Sequence, residues 1–527
     1  MKKSYIWILT GIMILGLALR LMNLGTEPYW GDEALSADII QHFSSISEIV
    51  VYISEVEFHP PLYYLMLHYW TAWFGITEFA VRSLSVVFGL GCIVLTFIFS
   101  RKLFQNTRGA LIAALIVAIL PFQIEFSQEG RPYSIVCFFG ILAALSAWEY
   151  VERKTPRYLA CYIFVSLAGL YTHYSFFLVQ VAIAAWWAAQ VISRKDFKEF
   201  TIWFAVHGSL VIGYWPWLDS LFYKILLGQY EIFGLKRILF VNRMPDFFER
   251  VFEKLIWLGK DKEINPLTIL VKTGFKVTFL AMGFFALRRA AISTRTSLRG
   301  FRYVVWLIIA PLMLFLLAPF SKEYAPIYER HVIFVTIALC LLFGFIATQL
   351  RARQAAVLIL IFIGSLIPFV SEITANDALV DPYFKMKEIS EHINQYYQRG
   401  DIVLVSDAFF RSDAAHYLRE EIPVLSLLPI NYYDLDIWNT RQTLGIVENE
   451  YQSRFTRSDY ESGAGQKLSR LVKIHRANRV WLFGFIKKED YAVYNWFEDN
   501  GWRQGFKSIA DIFQLDLYIK KKLNNAF

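Results

Sequence analysis

The sequence predicts an α-helical polytopic membrane domain followed by a soluble α/β domain, and three observations carry that prediction. Charge is unevenly spread: of the 98 Asp, Glu, Lys and Arg residues, 41 lie in the 152 positions from Asn376 onward, an ordinary density for a soluble domain. The first 375 positions hold only 57, a depletion that water-soluble folds rarely reach. Apolar segments close to the roughly 20 residues needed to span a bilayer recur through that front part. The loops between them alternate between basic and non-basic. With 56% hydrophobic and 17% aromatic residues, this pattern excludes a single soluble enzyme, a disordered chain and a fibrous protein. The net charge of +8 does not point to nucleic acid, because the Lys and Arg residues cluster between apolar segments, where membrane topology explains them.

The first element is MKKSYIWILTGIMILGLALRLMNLG, two lysines and then an apolar run with no small-residue cleavage site after it. It reads as a retained helix near 5–24 rather than a signal peptide. Further spans are expected near 80–100, 109–124, 133–151, 157–172, 175–193, 200–218, 266–287, 302–319, 331–350 and 354–371, about eleven in all. From Arg101 onward the loops carrying Arg101/Lys102/Arg108, Arg153/Lys154/Arg157, Arg194/Lys195/Lys198, Arg288 to Arg302 and Arg351/Arg353 alternate with aromatic, acidic or mixed ones. The excess of cations in cytoplasmic loops puts the basic set and the N-terminus inside, and the other set outside. By that parity HPPLYYLMLHYWTAWFG cannot cross the membrane. Its Pro-Pro step breaks a helix, and its Tyr and Trp content suits a helix lying at the outer interface. Cys92, Cys137, Cys161 and Cys340 sit inside apolar runs and read as small buried hydrophobes.

The expected boundary falls at Asn376, giving residues 1–375 as the membrane domain, with outer loops 25–79 and 219–265, and 376–527 as an extracytoplasmic domain. There, DIVLVS (401–406) and RVWLFGF (479–485) read as strands, while KMKEISEHINQYY and EDYAVYNWFEDNG read as helices. The domain shows no glycine-rich phosphate loop and no metal-ligand cluster, so no catalysis is assigned to it.

With this topology, the unusual polar residues fall on the outer face. Trp30-Gly31-Asp32-Glu33 places two carboxylates at the start of a helix, either as caps or as a general base at the membrane surface. His59 precedes Pro60-Pro61. Arg82 begins the second spanning helix, as a snorkelling anchor or a site residue. Glu125, Glu129, Arg131 and Tyr133 crowd a short turn, where charge is costly unless it faces a cavity or a partner. His173 and Tyr174 lie in a second short turn, and Arg330 in KEYAPIYERHV stands at a helix mouth. Lys272 and Lys276 lie four apart in an apolar run, so Lys276 reads as a cavity-facing cation or as marking a later helix start. Such a pocket suits an anionic lipid-linked substrate. Arginines would clamp a phosphate, aromatics would stack on sugar or isoprenoid, and a carboxylate would deprotonate an acceptor.

At these residues the chain resembles a known family. The ordered set WGDEA, HPPLYYLMLHYW, FAVRSLSVVFGLGCIVLTFIFSRKLF, SQEGRPYS, YTHYSFF and YWPWL is similar to the family 39 membrane glycosyltransferases of the GT-C superfamily, relatives of protein O-mannosyltransferases and aminoarabinose transferases. The resemblance covers about residues 5–220 well and continues loosely to 371. It implies a GT-C fold and an inverting transfer of a hexosyl or pentosyl group from a polyprenyl-phosphate or polyprenyl-diphosphate donor on the outer face of the cell membrane. The acceptor would be a protein, a lipid or a cell-envelope glycan. It also implies that Asp32 is the catalytic base, that Glu33 orients or shares the site, and that His59 lies nearby. Arg131 would face the donor phosphate, and Glu129 would pair with it or contact the acceptor. Some relatives hold a metal and others need none; Asp32, Glu33 and His59 could form a divalent site, though no spacing compels one. The chain departs from the family at Gly130, where Ala is common, and at Tyr328-Glu329-Arg330-His331, where a Pro-Arg-Tyr run is common. A polyprenyl-linked glycan flippase is the alternative reading, opposed by spans that are apolar through their centres apart from Lys276 and His207.

Overall fold

The computed structural model describes residues 4–55, 57, 59–226, 295–317, 329–351, 353–357, 359–360, 363–364, 382–407, 414–419, 421–428, 469, 472–473, 475–483, 496–510 and 513–520. They divide into two compact units, Met1–Leu24 with Ile53–Ala375, and Gly25–Tyr52 with Asn376–Phe527.

The first unit is helical. Its elements are α1 (Ser4–Leu21), α4 (Leu62–Phe74), α5 (Glu78–Phe104), α6 (Thr107–Ile119), α7 (Pro121–Glu125), α8 (Tyr133–Arg153), α9 (Pro156–Leu170), α10 (Phe176–Arg194), α11 (Phe197–Leu226), α12 (Arg295–Leu317) and α13 (Ile333–Gln349). Local chemistry sets the boundaries. The Ala80 N–H donates to the Thr77 side chain at 3.3 Å and opens α5. That helix ends in Arg101 and Lys102, cations that suit its C-terminal dipole, before Gln105 turns left-handed at φ 53°. The Gly109 N–H donates to Asn106 Oδ1 at 2.9 Å and starts α6. The span expected over 109–124 breaks at Leu120, because Pro121 cannot continue the hydrogen-bond ladder and instead opens the short α7.

Four of the described helices, Glu78–Phe104, Tyr133–Arg153, Phe176–Arg194 and Arg330–Gln349, are long and apolar enough to cross a membrane, and Tyr5–Leu21, Thr107–Ile119 and Pro156–Leu170 are shorter apolar helices. The expected span 266–287 lies outside the described residues, as does most of 354–371. α4 buries Tyr63, Tyr64 and Leu67 and leaves Tyr69, Trp73 and Phe74 exposed, the division of an interfacial helix. Helices α6 and α13 meet at glycines: a Cβ on Gly109 would stand 2.6 Å from the Gly344 carbonyl oxygen, and one on Gly344 would stand 2.7 Å from that of Gly109. Side chains of the basic loops come together in ion pairs. Lys102 and Arg153 share Glu149 at 3.2 and 2.7 Å, and Arg299 meets Glu152 at 2.8 Å.

The second unit holds a five-stranded sheet, and α2 (Gly31–His42) and most of α3 (Ile46–Glu55) belong with it. The strands β1 (Asp401–Asp407), β2 (Val424–Leu428), β3 (Arg479–Phe483), β4 (Trp502–Ala510) and β5 (Phe513–Lys520) lie in the order β2-β1-β3-β5-β4. β1 runs parallel to β2 and β3, while β5 runs antiparallel to β3 and β4. Alternation along β1 sorts the two cores. Val403 and Val405 pack with Ile389 and Ile393 of α14 (Pro382–Tyr396), and Ile402 and Leu404 pack with Phe497 and Trp502. β1 and β3 stand where the sequence placed strands, while β2 was not read. The β4–β5 hairpin was not anticipated. Segment 25–52, expected with the membrane domain as an outer loop, packs instead with the sheet unit.

Candidate functional site

In the first unit four connections meet: the chain before α4, the α7–α8 turn, the α9–α10 turn and the 3₁₀ turn Glu329–Val332 ahead of α13. They carry Glu57 and His59, then Arg131, then His173, then Arg330 and His331. The His59 ring lies edge-on to His173 with centroids 4.6 Å apart, and His173 lies 5.5 Å from Tyr133 and 5.8 Å from His331. The Arg330 guanidinium stands over the Tyr133 ring at 5.7 Å.

Hydrogen bonds fix the protons. Arg131 Nη2 lies 3.3 Å from His59 Nε2, and a guanidinium can only donate, so that nitrogen accepts. The proton of His59 then sits on Nδ1 and donates to Glu57 Oε1 at 3.0 Å, a carboxylate that is 1% exposed. At His173 the Ser175 N–H donates to Nδ1 at 3.0 Å, which leaves the proton on Nε2. That N–H is buried and has no hydrogen-bond partner among the described residues. Burial first, then His59, His331, Arg131 and Arg330, hold the His173 imidazole well below its ordinary pKa, so it is neutral. Burial and the Glu57 carboxylate push the Tyr64 hydroxyl up, with Arg131 opposing them. Burial also pushes the Tyr174 hydroxyl up; its oxygen accepts from Trp217 Nε1 at 3.2 Å, which opposes the rise, and Glu57 adds to it.

The turn bearing Arg131 is anchored from several helices. The Tyr63 hydroxyl donates to the Gly130 carbonyl, and Ser85 Oγ donates to the Arg131 carbonyl at 3.1 Å. Arg20, fully buried in α1, donates from Nε to Ser127 Oγ at 3.2 Å and from Nη1 and Nη2 to the Ala118 and Val117 carbonyls at 2.9 and 3.1 Å. Those carbonyls belong to the last turn of α6, which Pro121 leaves without a continuing ladder. Gly89 makes room for this, since a Cβ there would overlap Ser127 and stand 3.1 Å from Arg20 Nε.

The structure thus gathers His59, Arg131, Tyr133, His173 and Arg330. Tyr174 stands beside Trp217, and Glu129 is half-buried on the same turn as Arg131. Arg82 is buried and donates from Nη1 to the Leu24 carbonyl at 3.0 Å, fastening the chain where α1 ends. Lys276 lies outside the described residues. Asp32 and Glu33 belong to the second unit, in the first turn of α2. The buried Glu33 turns back to the Trp30 N–H at 3.5 Å, so it serves the helix start, while the Asp32 side chain is partly exposed. No group of three His, Cys, Asp or Glu side chains among the described residues is arranged to hold a metal.

Three members of this arrangement escaped the sequence reading. Glu57 was legible as a carboxylate two residues before His59. His331 stood beside Arg330 in the same motif. Arg20 gave no local signal, because its partners lie about a hundred residues away.

Chemically, the place brings together two arginines and a neutral imidazole N–H donor, with the Glu57 carboxylate paired to His59. Residues 58–217 match the sequence model of the family described as dolichyl-phosphate-mannose-protein mannosyltransferase. An uncharacterized protein from Aquifex aeolicus (strain VF5) is 26% identical over 158 residues, which span 29% of this chain and 31% of that protein. Two crystal structures of ArnT from Cupriavidus metallidurans superpose along nearly the whole length. The form bound to undecaprenyl phosphate gives a TM-score of 0.63 at 11% identity over 98% of both chains, and the apo form 0.62 at 12% over 97% of both. The chain thus shares the fold of ArnT, and its described residues include four helices long and apolar enough to cross a membrane.

Proposed function

We propose that the protein is a glycosyltransferase that moves a sugar from a polyprenyl-phosphate-linked donor to an acceptor on the extracytoplasmic face of the cell membrane, with inversion at the anomeric carbon. The supporting observation is the cluster of buried Arg131 and His173 with half-buried His59 and Arg330, set in a fold that ArnT shares and that in ArnT accompanies undecaprenyl phosphate. In a single displacement the acceptor oxygen bonds to the anomeric carbon as the bond from that carbon to the phosphate oxygen breaks. The bond's electron pair leaves with the lipid phosphate, and the acceptor proton goes to a base. Asp32 is that base, and Glu33 holds the helix start that presents it. Arg131 and Arg330 stabilise the departing phosphate, a job for cations rather than for a proton. The His173 Nε2–H donates to a phosphate oxygen, while Tyr133 and Tyr174 offer faces to the sugar. Residues 1–375 carry the catalytic membrane domain, and 376–527, with which 25–52 pack, form a domain outside the membrane.

Turnover measured with a polyprenyl-phosphate sugar tests the two principal roles. Asp32→Asn should lower kcat by about 10²- to 10⁴-fold with the protein still folded. Arg131→Ala should raise the donor KM by about tenfold or more. Near wild-type turnover in the first variant removes the base, and unchanged donor affinity in the second removes the phosphate contact.

A further inference from the structure

Segment 25–52 lies far in sequence from the sheet unit, yet it packs as part of it, and the contact falls three residues before Asp32. Tyr29 is fully buried there. Its N–H donates to the Tyr417 hydroxyl at 2.7 Å, and its ring meets His416 edge-on at 4.6 Å. The next residue, Trp30, has extended backbone (φ −95°, ψ 160°), and its N–H faces the Glu33 carboxylate at 3.5 Å. Two successive backbone N–H groups at the entrance of α2 are therefore held, and Gly31, Asp32 and Glu33 follow as its first turn.

Tyr417 is itself tied to the core of the unit. The turn bearing it closes through the Leu418 N–H to the Ala414 carbonyl at 3.1 Å, and Ala414 and Leu418 are buried among Ile393, Val403 and Val405. Asn394 of α14 donates from Nδ2 to the Tyr417 carbonyl at 2.8 Å and accepts the Arg419 N–H at 3.0 Å. The Lys387 ammonium stands over the Tyr417 ring at 5.6 Å. A line of contacts so runs from the sheet core through α14 and the 414–419 turn to the entrance of α2.

We infer that the C-terminal unit is a clamp for the loop that carries Asp32, and that Tyr417 is a positioning residue for that carboxylate. This rests on the reading of Asp32 as the base. A carboxylate on an unanchored loop would sample many directions, and an error of about 1 Å in a reacting group can cost up to about 10²-fold in rate. The clamp supplies direction without touching substrate.

Tyr417→Phe in the full-length protein tests this, because it keeps the ring, its packing and the Lys387 contact and deletes only the oxygen that receives the Tyr29 N–H. The expected result is a kcat lower by about tenfold, with donor KM and melting temperature unchanged. Unaltered kcat overturns the clamp, and so does a loss that travels with a lower melting temperature or with an equal rise in donor KM, since either marks a general structural role. Asp32→Asn, assayed in parallel, separates the two readings. If it is inactive while Tyr417→Phe is normal, the clamp fails and the base stands; if it is active, the base assignment falls and the clamp with it.

Discussion

His173 sits where a protonated imidazole would meet Arg131, Arg330 and His331, and the Ser175 N–H occupies the nitrogen that a second proton would need. The consequence for pH has a definite sign. In the unfolded chain this histidine takes up a proton as pH falls below about 6.5, while the folded protein refuses it, so the unfolded state binds more protons and stability declines on acidification. His173→Gln keeps an N–H donor near the position of Nε2 and does not titrate. Its melting temperature should therefore fall less than that of the wild type between about pH 7.5 and about pH 5.5. Equal falls would show that the histidine is not held neutral by the cluster. At this scale the sequence was legible in part. His59, Arg131, His173 and Arg330 stood out because charge and imidazole are scarce in an apolar chain. Arg20 did not, because its worth comes from the α6 carbonyls and Ser127, which folding brings to it.

Among the elements, single residues set boundaries that the expected spans missed, one of them running through Pro121 to 124. Thr77 and Asn106 cap, and Pro121 interrupts. The β4–β5 hairpin went unread, although Phe513, Leu515, Leu517 and Ile519 alternate with Gln514, Asp516, Tyr518 and Lys520 in the period-2 pattern of a strand. What local pattern cannot give is which helices touch. The α6–α13 contact at Gly109 and Gly344 shows why, because each glycine is informative only beside the other. Association of helices in lipid relies on such close backbone approach. Gly344→Leu should destabilise the purified protein by about 1–3 kcal/mol, seen as a lower melting temperature in detergent. Gly11→Leu, at an exposed position where a Cβ would meet nothing within 4 Å, should leave the melting temperature unchanged. Equal behaviour of the two variants would contradict the close-packed contact.

For the molecule as a whole, charge density rises near Asn376, and the two compact units divide between Ala375 and Asn376, with residues 25–52 joining the second. The sequence placed residues 25–52 in an outer loop of the membrane domain, whereas the Tyr29–Tyr417 hydrogen bond and the Tyr29–His416 ring contact join them to the sheet unit, partners that local composition does not reveal. The central claim is that sugar leaves its lipid phosphate at this protein. It is tested most directly by incubating the purified full-length protein with a polyprenyl-phosphate sugar radiolabelled in the sugar, together with a cell-envelope extract as the source of acceptor. The account predicts that label leaves the lipid fraction and appears on an acceptor with the wild type, and stays on the lipid with Asp32→Asn. Label that remains on the lipid with the wild type, or that only changes sides of a vesicle membrane still attached to it, would contradict the account and indicate transport instead.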